Sequence, residues 1–522
     1  MAFLDSENRN FLRAISALAV SNPFLPERKS LEEQALGPHY VPTQRVWSLR
    51  GDPAAPDQNL QRIVVKLEGV IKTLRARMDR APRPGTADLE LYEDGVFFLL
   101  YHRHAADFAS LMNAGARGEG VPARGHAEFQ RELHTLKPDD VDFPRGYAPA
   151  HMFAFFFQLQ RAFVNIFEHI VGGSLPAARL RAAVWQSVFT HQPRRYLDGL
   201  YPRMRDFTTL ISGPSGSGKE LVARAVGLSQ YIPLDAKTGR FVVHPATSFH
   251  AVNLSALSPT LIESELFGHC RGAFTGAVRD RVGWLEEAGR HGSVFLDEIG
   301  ELDLALQVKL LRVLQTRVFQ RLGETEPRTF EGKLIVATNR HLPTAIDEGG
   351  FREDLYYRMC SDIITTPSLA EQLADSPDEL RPMLLFIIRN ILGGRGEADT
   401  ARVEQVGDEV EGWIHERLGR AYPWPGNFRE LEQCVRNVLI RRDYVPRPTR
   451  APTSTTPALE ETWRAIQQGT LSADELLTFY CTLQFARSGS YVETAQQVGL
   501  DRRTVKRHVD NALLQRLRAS SG

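Results

Sequence analysis

The sequence predicts a multidomain protein: a mainly helical N-terminal domain, an α/β nucleotide-binding core with a helical lid, and a C-terminal helix-turn-helix. Three observations predict it. Gly213-Pro214-Ser215-Gly216-Ser217-Gly218-Lys219-Glu220 is a glycine-rich phosphate loop between an apolar β-rich run and a helix. Downstream, the run Ser293-Val294-Phe295-Leu296 ends in Asp297-Glu298. Near the C-terminus a short helix and turn precede a basic helix over 501–509.

With 522 residues the chain is too long for one ordinary domain. Its 43% hydrophobic and 24% charged residues fit a globular protein, and a formal net charge of +0 leaves nucleic-acid affinity to a local basic patch. Cys270, Cys360, Cys434 and Cys481 lie far apart without metal-ligand spacing and read as free thiols of a reducing cytoplasm. No stretch has the make-up of a signal peptide. The most apolar segment, Phe153 to Val171, is interrupted by Gln158, Gln160, Arg161, Asn165, Glu168 and His169. It reads as an amphipathic or buried helix, so no membrane partner and a cytoplasmic location are expected.

Residues 1–177 read as the helical N-terminal domain, with helices over Leu60 to Met78, Val96 to Met112 and His151 to Val171, separated by prolines near Pro53, Pro82 and Pro122. The aromatics Phe97, Phe98, Tyr101, Phe153, Phe155, Phe156 and Phe157 read as core or helix packing rather than a ligand pocket. No acid–base or metal constellation occurs there, so a regulatory role is expected.

Over 178–366 short β-rich runs alternate with helices, as in a parallel sheet covered on both faces. Phe207 to Ser212 is the strand feeding the phosphate loop, Glu220 to Gly227 begins the next helix, and Val294 to Leu296 and Leu334 to Ala337 are buried strands. The loop glycines let backbone N–H groups turn towards phosphates, and Lys219 reaches the β and γ groups of ATP. Adjacent acids at a strand end beside a metal suit phosphoryl transfer. Residues 367–445 return to helix as a lid. The proline-rich stretch from Pro446 to Pro457 marks a linker over 446–468, and 469–522 form the helical tail.

Between the two halves of the ATP site lies Gly272-Ala273-Phe274-Thr275-Gly276-Ala277. Its glycines free a loop tip, and Phe274 reads as an exposed apolar contact for a partner, with the Thr275 hydroxyl beside it. With this hexapeptide, Glu263 to His269 before it and Trp284 to Ala288 after it, the chain resembles the AAA+ activators of the sigma-54 form of bacterial RNA polymerase. The resemblance covers roughly residues 180 to 445, more weakly the C-terminal end, and not the first third.

The resemblance implies an ATPase that works as a ring, from dimer to hexamer, with Mg2+. Its loop 272–277 would press on sigma-54. Asp297 would orient magnesium and Glu298 would polarise the attacking water. Glu220 stands where the general motif has Ser or Thr but where this family commonly has Glu, and it would help hold the metal or its waters; Leu221 follows it. Asn253 would hold Glu298 in an inactive pose, and Thr338 and Asn339 would read the γ-phosphate. Arg352 and Arg358, in Phe351 to Arg358, would reach into a neighbour's site. Arg429, in Trp424 to Leu431, would contact nucleotide in its own subunit, with Asn427 able to cap the following helix. One departure is Pro367-Ser368-Leu369-Ala370-Glu371-Gln372, which lacks the family's arginines and puts lid contacts there in doubt.

In the tail, Tyr491 to Gln497 and Asp501 to Val509 flank a turn at Val498-Gly499-Leu500. Arg502, Arg503, Lys506, Arg507 and His508 form a basic outer face, with Val505 and Val509 inward. Thr504 and Arg503 suit base contacts in double-stranded enhancer DNA. Arg502, Lys506 and Arg507 suit phosphates. The reading is an enhancer-binding activator that remodels sigma-54 polymerase. Its rivals are an AAA+ remodelling or DNA-processing motor, which gives no reason for the hexapeptide, and a scaffold with a decayed ATP site, which Lys219, Asp297 and Glu298 oppose.

Overall fold

The computed structural model describes residues 3–42, 57–79, 84–112, 121–138, 141–244, 249–393, 400–446, 462, 465 and 470–514. Pro53, Pro82 and nearly all of the expected linker lie outside them. The chain divides into two compact units, Met1–Arg442 and Asp443–Gly522. No helix among the described residues is long and apolar enough to cross a membrane.

The first unit opens with helices α1 (Ser6–Val20), α2 (Glu27–Leu36), α3 (Gln58–Met78), α4 (Thr86–Arg103), α5 (Ala105–Met112), α6 (His126–Leu136), α7 (Pro149–His169) and α8 (Leu175–Phe189). One helix expected over Val96–Met112 is two. The chain breaks at His104, whose Nδ1 lies 2.8 Å from the Asp107 carboxylate at the start of the second. The polar residues that interrupt α7 have a structural reason. The Gln158 amide donates to the Ser229 carbonyl (2.9 Å), Arg161 to the Leu228 and Gln230 carbonyls (2.6 and 2.9 Å), and Asn165 to Leu228 (3.2 Å). Those carbonyls close the helix after the phosphate loop, where unpaired C=O groups and the negative dipole end favour a cation. Burial pulls the Arg161 guanidinium down to about 10, so it stays charged at neutral pH.

A one-turn α9 (Pro193–Arg195) leads into β1 (Thr209–Ser212) and α10 (Lys219–Gly227). The short pair β2 (Leu234–Asp235) and β3 (Arg240–Phe241) precedes β4 (Phe249–Asn253) and α11 (Pro259–Phe267). A second pair, β5 (Gly268–His269) and β6 (Arg281–Val282), is followed by α12 (Trp284–Glu287), β7 (Ser293–Asp297) and α13 (Leu304–Thr316). Then come β8 (Val318–Phe319), β9 (Arg328–Thr329), β10 (Lys333–Thr338), α14 (Leu342–Asp347), α15 (Glu353–Met359) and β11 (Asp362–Thr365). The lid is α16 (Leu369–Asp375), α17 (Leu380–Leu392), α18 (Thr400–Arg417) and α19 (Asn427–Arg441).

Five strands form a parallel sheet in the order β11-β1-β10-β7-β4. Strand alternation sorts its side chains onto two faces. Leu210, Val294, Leu296, Leu334 and Val336 join the core formed with α11 to α15. Ile211, Phe295, Ile335, Ala337 and Ile364 join α10 and one continuous apolar core that reaches through α7 and α8 to α1. The N-terminal helices thus share a core with one sheet face, and no break in packing falls at residue 177.

Among the described residues of the second unit are three helices, α20 (Ala473–Ser488), α21 (Tyr491–Val498) and α22 (Arg502–His508). Ser472 and Glu475 form a capping box on α20, and Asp501 caps α22 by accepting from the Arg503 and Thr504 N–H groups. Gly499 takes the left-handed conformation (φ 72°) that stops α21.

Candidate functional site

Parallel pairing gathers the site at one end of the sheet, outside the carboxyl ends of the strands. Ser212 is level with Thr338 and Asn253 with Asp297, so the phosphate loop, both acids and the expected sensor strand meet there. A cavity of about 420 Å³ lies at this edge, lined by Ser215 to Val222, Asp297, Glu298 and Arg429 among others.

Lys219 begins α10 and is buried; its ammonium donates to the Gly213 and Pro214 carbonyls (3.1 and 3.3 Å). Burial lowers its pKa, opposed by the charges of Glu298 and Asp297. Burial first, and then the neighbouring Glu298, raises the Asp297 carboxyl, against the pull of Lys219. This crowding of negative charge is what a bound dication relieves. Asp297 and Glu220 together fit magnesium, which takes one or two protein carboxylates along with phosphate and water. Glu220 lines the cavity, but one carboxylate oxygen is held by Arg224 on the same helix (2.9 Å).

Glu298 sits in the left-handed region (φ 57°, ψ 50°), where the strand turns sharply and aims the carboxylate back across the site. It accepts from the Asn339 N–H (3.3 Å). Asn253 does not hold it in this arrangement. The Asn253 side-chain Oδ1 caps the next turn instead, accepting from the Ser255 N–H (3.0 Å) and hydroxyl (2.7 Å). Thr338 is buried, its hydroxyl accepting from the Arg340 N–H (3.0 Å).

The lid closes on the loop through main chain. The Phe428 N–H donates to the Gly216 carbonyl (3.0 Å), and a Cβ on Gly216 (φ 75°) would stand 2.4 Å from the Gly426 carbonyl oxygen. Asn427 is not the expected helix cap. Itself at φ 53°, it donates from its amide to the Ser215 carbonyl (3.0 Å) and accepts from the Leu369 N–H (2.8 Å). The back-bond to the start of α19 comes from Glu430, which accepts from the Gly426 N–H (2.7 Å). Arg429 lines the cavity within 3.5 Å of the Ser215 hydroxyl.

Arg352 and Arg358 are exposed and do not line this cavity; Arg352 pairs with Asp354 (2.7 Å). The sequence reading missed the apolar wall: Ile170 and Val171 just after α7, and Met383, Phe386 and Ile387 on α17. The available signal was Ser174-Leu175-Pro176, a helix-start pattern before the presumed boundary; the Ser174 hydroxyl caps α8. The nucleotide-binding unit therefore begins ahead of residue 178.

The hexapeptide lies between the paired strands β5 and β6. The Gly272 N–H donates to the Ala277 carbonyl (2.9 Å), and Gly272 (φ 83°) and Gly276 (φ 103°) allow the reversal. Thr275 is exposed. Phe274 is not fully so: it is half-buried, edge-on to His269 (ring centres 5.0 Å apart). The more exposed apolar side chain is Val278, at 82%. The loop joining β8 to β9 braces the base, with the Cys270 N–H bonded to the Leu322 carbonyl (2.9 Å).

In the second unit Arg502, Arg503, Lys506 and Arg507 are exposed on α22. His508 is not part of that face; it is buried, its Nδ1 3.1 Å from the Thr478 hydroxyl. The Thr504 hydroxyl is half-buried and bonded to Asp501. Val505 is fully buried, as its spacing predicts.

Residues 201–365 match the Sigma-54 interaction domain family. The Nif-specific regulatory protein of Klebsiella pneumoniae is 40% identical over 270 residues, covering 49% of this chain and 46% of the relative. The sigma54-dependent transcriptional activator SfnR of Pseudomonas putida is 41% identical over 234 residues, covering 45% of this chain and 57% of the relative. The DNA-binding transcriptional regulator NtrC of Rhizobium meliloti is 39% identical over 246 residues, covering 46% of this chain and 45% of the relative. The chain thus spans about half the length of the curated relatives it matches. The phosphate loop, the paired acids and the braced hexapeptide all lie within the segment, residues 201–365, that matches the Sigma-54 interaction domain family.

Proposed function

We propose that the chain is a transcription activator that hydrolyses ATP in a ring and uses the loop 272–277 to remodel sigma-54 RNA polymerase at promoters. One observation carries this reading. The hexapeptide projects from a hairpin inserted in chain order between Asn253 and Asp297, so movement at the strand ends reaches a loop that takes no part in the chemistry.

Lys219 and the N–H groups opening α10 bind the β and γ phosphates. Asp297, aided by Glu220, would hold Mg2+, which neutralises charge on the transferring phosphoryl group when bound. Glu298 orients the attacking water. Asn339, bonded to it, and Thr338 register the γ-phosphate, and Asn253 lies level with Asp297 to take Glu298 in another state. Arg429 contacts nucleotide from the lid. Arg352 and Arg358, turned away from their own cavity, serve the site of the next subunit. On enhancer DNA, Arg503 and Thr504 reach bases and Arg502, Lys506 and Arg507 hold phosphates, two copies on a two-fold site. A cytoplasmic location follows from that partner set.

Thr275→Ala tests the reading. ATPase and ring formation should stay at the wild-type level while sigma-54 binding and open-complex formation fail. Promoter opening at the wild-type rate, in this variant and in Phe274→Ala, would remove the loop from the mechanism and the function with it.

A further inference from the structure

We propose that the N-terminal helices enclose a binding site for a small aromatic carboxylate, and that α7 carries its occupancy to the nucleotide site. A cavity of about 330 Å³ lies among α1, α2, α4, α7 and α8, at the small end of ligand pockets (about 300–1,000 Å³). It suits one substituted ring rather than a nucleotide. The sequence reads its aromatics as packing, and Phe153 and Phe157 do pack in the core. Phe98, Phe155, Phe156 and Trp185, buried in that same core, also line the cavity, as do Phe97 and Tyr101 packed against it.

One end is polar and offers donors. The buried Asp94 carboxylate takes three donors: one oxygen accepts from the Ser16 hydroxyl (2.6 Å) and Arg194 (2.7 Å), the other from Arg145 (2.7 Å). Arg145 meets Asp94 and Glu93 through one nitrogen, and Arg194 meets Asp94 and Ser16 through one. The Arg194 Nε is buried without a hydrogen-bond partner among the described residues. Burial raises the Glu93 carboxyl to about 7, which weakens its hold on Arg145. His102, also on the lining, is held neutral by burial, its pKa pushed down to about 3. Apolar rings around unspent guanidinium donors recognise an aromatic acid.

The route to the ATP site is a single helix. Phe155 and Phe156 line this cavity; Gln158, Arg161 and Asn165 hold the end of α10, whose first residue is Lys219; and Ile170 and Val171, just past α7, line the nucleotide cavity. A ligand that shifts α7 changes nucleotide affinity, and nucleotide changes ligand affinity by the same factor.

The test uses the purified full chain without polymerase or DNA, so it stands or falls apart from the sigma-54 reading. Benzoate, phenylacetate, 3-phenylpropionate and 1-naphthoate, each with its primary amide, are titrated by calorimetry and tryptophan fluorescence. At least one acid should bind one site per chain about tenfold tighter than its amide, the loss of an ion-paired contact. Ala105→Trp, which fills the cavity, and Arg194→Met should each weaken that acid about tenfold or more with the circular dichroism spectrum unchanged. The fluorescence response should vanish in Trp185→Phe. The acid should shift the Kd for ATP at least about threefold. Acids that bind no better than amides up to about 1 mM, or binding that folded Ala105→Trp leaves intact, would overturn the site. Binding with an unchanged ATP Kd would overturn the role of α7.

Discussion

On the proposed reading Lys219 binds phosphates and Glu298 orients water, and the two residues have correspondingly different surroundings. Lys219 is buried beside two acids, and its ammonium is spent on loop carbonyls that phosphates would replace as partners. Lys219→Ala is expected to abolish ATP binding, measured with a fluorescent nucleotide. Glu298 takes a left-handed backbone at the end of β7, its N–H bonded to the Asp297 carboxylate and its own carboxylate accepting from the Asn339 N–H. Glu298→Ala should keep ATP affinity within a few-fold and lower turnover by about 10²–10⁴, the range for losing a positioned base. Full ATPase in that variant would reassign the water-orienting role. Asn253 and Thr504 show the limit of residue matching. The polar atoms of each are engaged by near neighbours, Ser255 and Asp501.

At the scale of elements, the lid is bound to the phosphate loop by backbone, and Gly216 is the point of closest approach. A methyl group there meets the Gly426 carbonyl at 2.4 Å, in a backbone region that L side chains rarely adopt. Gly216→Ala is therefore expected to displace the start of α19 and weaken ATP about tenfold or more without unfolding the sheet. Unchanged affinity by calorimetry would show that the lid is free to give. The same packing ties the stretch around Pro367 to Gln372 to the lid and the phosphate loop. Leu369 is anchored by Asn427, and the Thr366 hydroxyl lies 2.6 Å from that of Ser217.

For the whole molecule, two predictions follow from what each part leaves incomplete. Arg352 and Arg358 do not line their own subunit's cavity, so Arg352→Ala should retain ATP binding and lose assembly-dependent turnover. Mixed with Lys219→Ala protein it should regain part of the activity, because each copy supplies what the other lacks. No recovery at any ratio would count against fingers acting between subunits. The N-terminal helices are not a detachable module. A chain lacking residues 1–177 loses the α7 donors to α10 and the Ile170–Val171 wall, and bares one face of the core. It should aggregate, or bind ATP about tenfold more weakly. A soluble fragment with full affinity would show the shared core to be dispensable.

The sequence by itself determined the parts whose chemistry is local: the phosphate loop, the acids ending a buried strand, the hexapeptide, and the helix and turn spacing of the tail. Glycine tolerance, strand alternation and helix capping act over a few residues, so their patterns survive in one dimension. Only the tertiary structure decided which groups answer one another across the chain. It set Asn427 on the phosphate loop rather than on its own helix, turned His508 inward, folded Phe274 onto His269 and joined α7 to α10. It also left a cavity among aromatics that spacing alone reads as core, because a helical stripe specifies a buried face but not whether its neighbours fill the space.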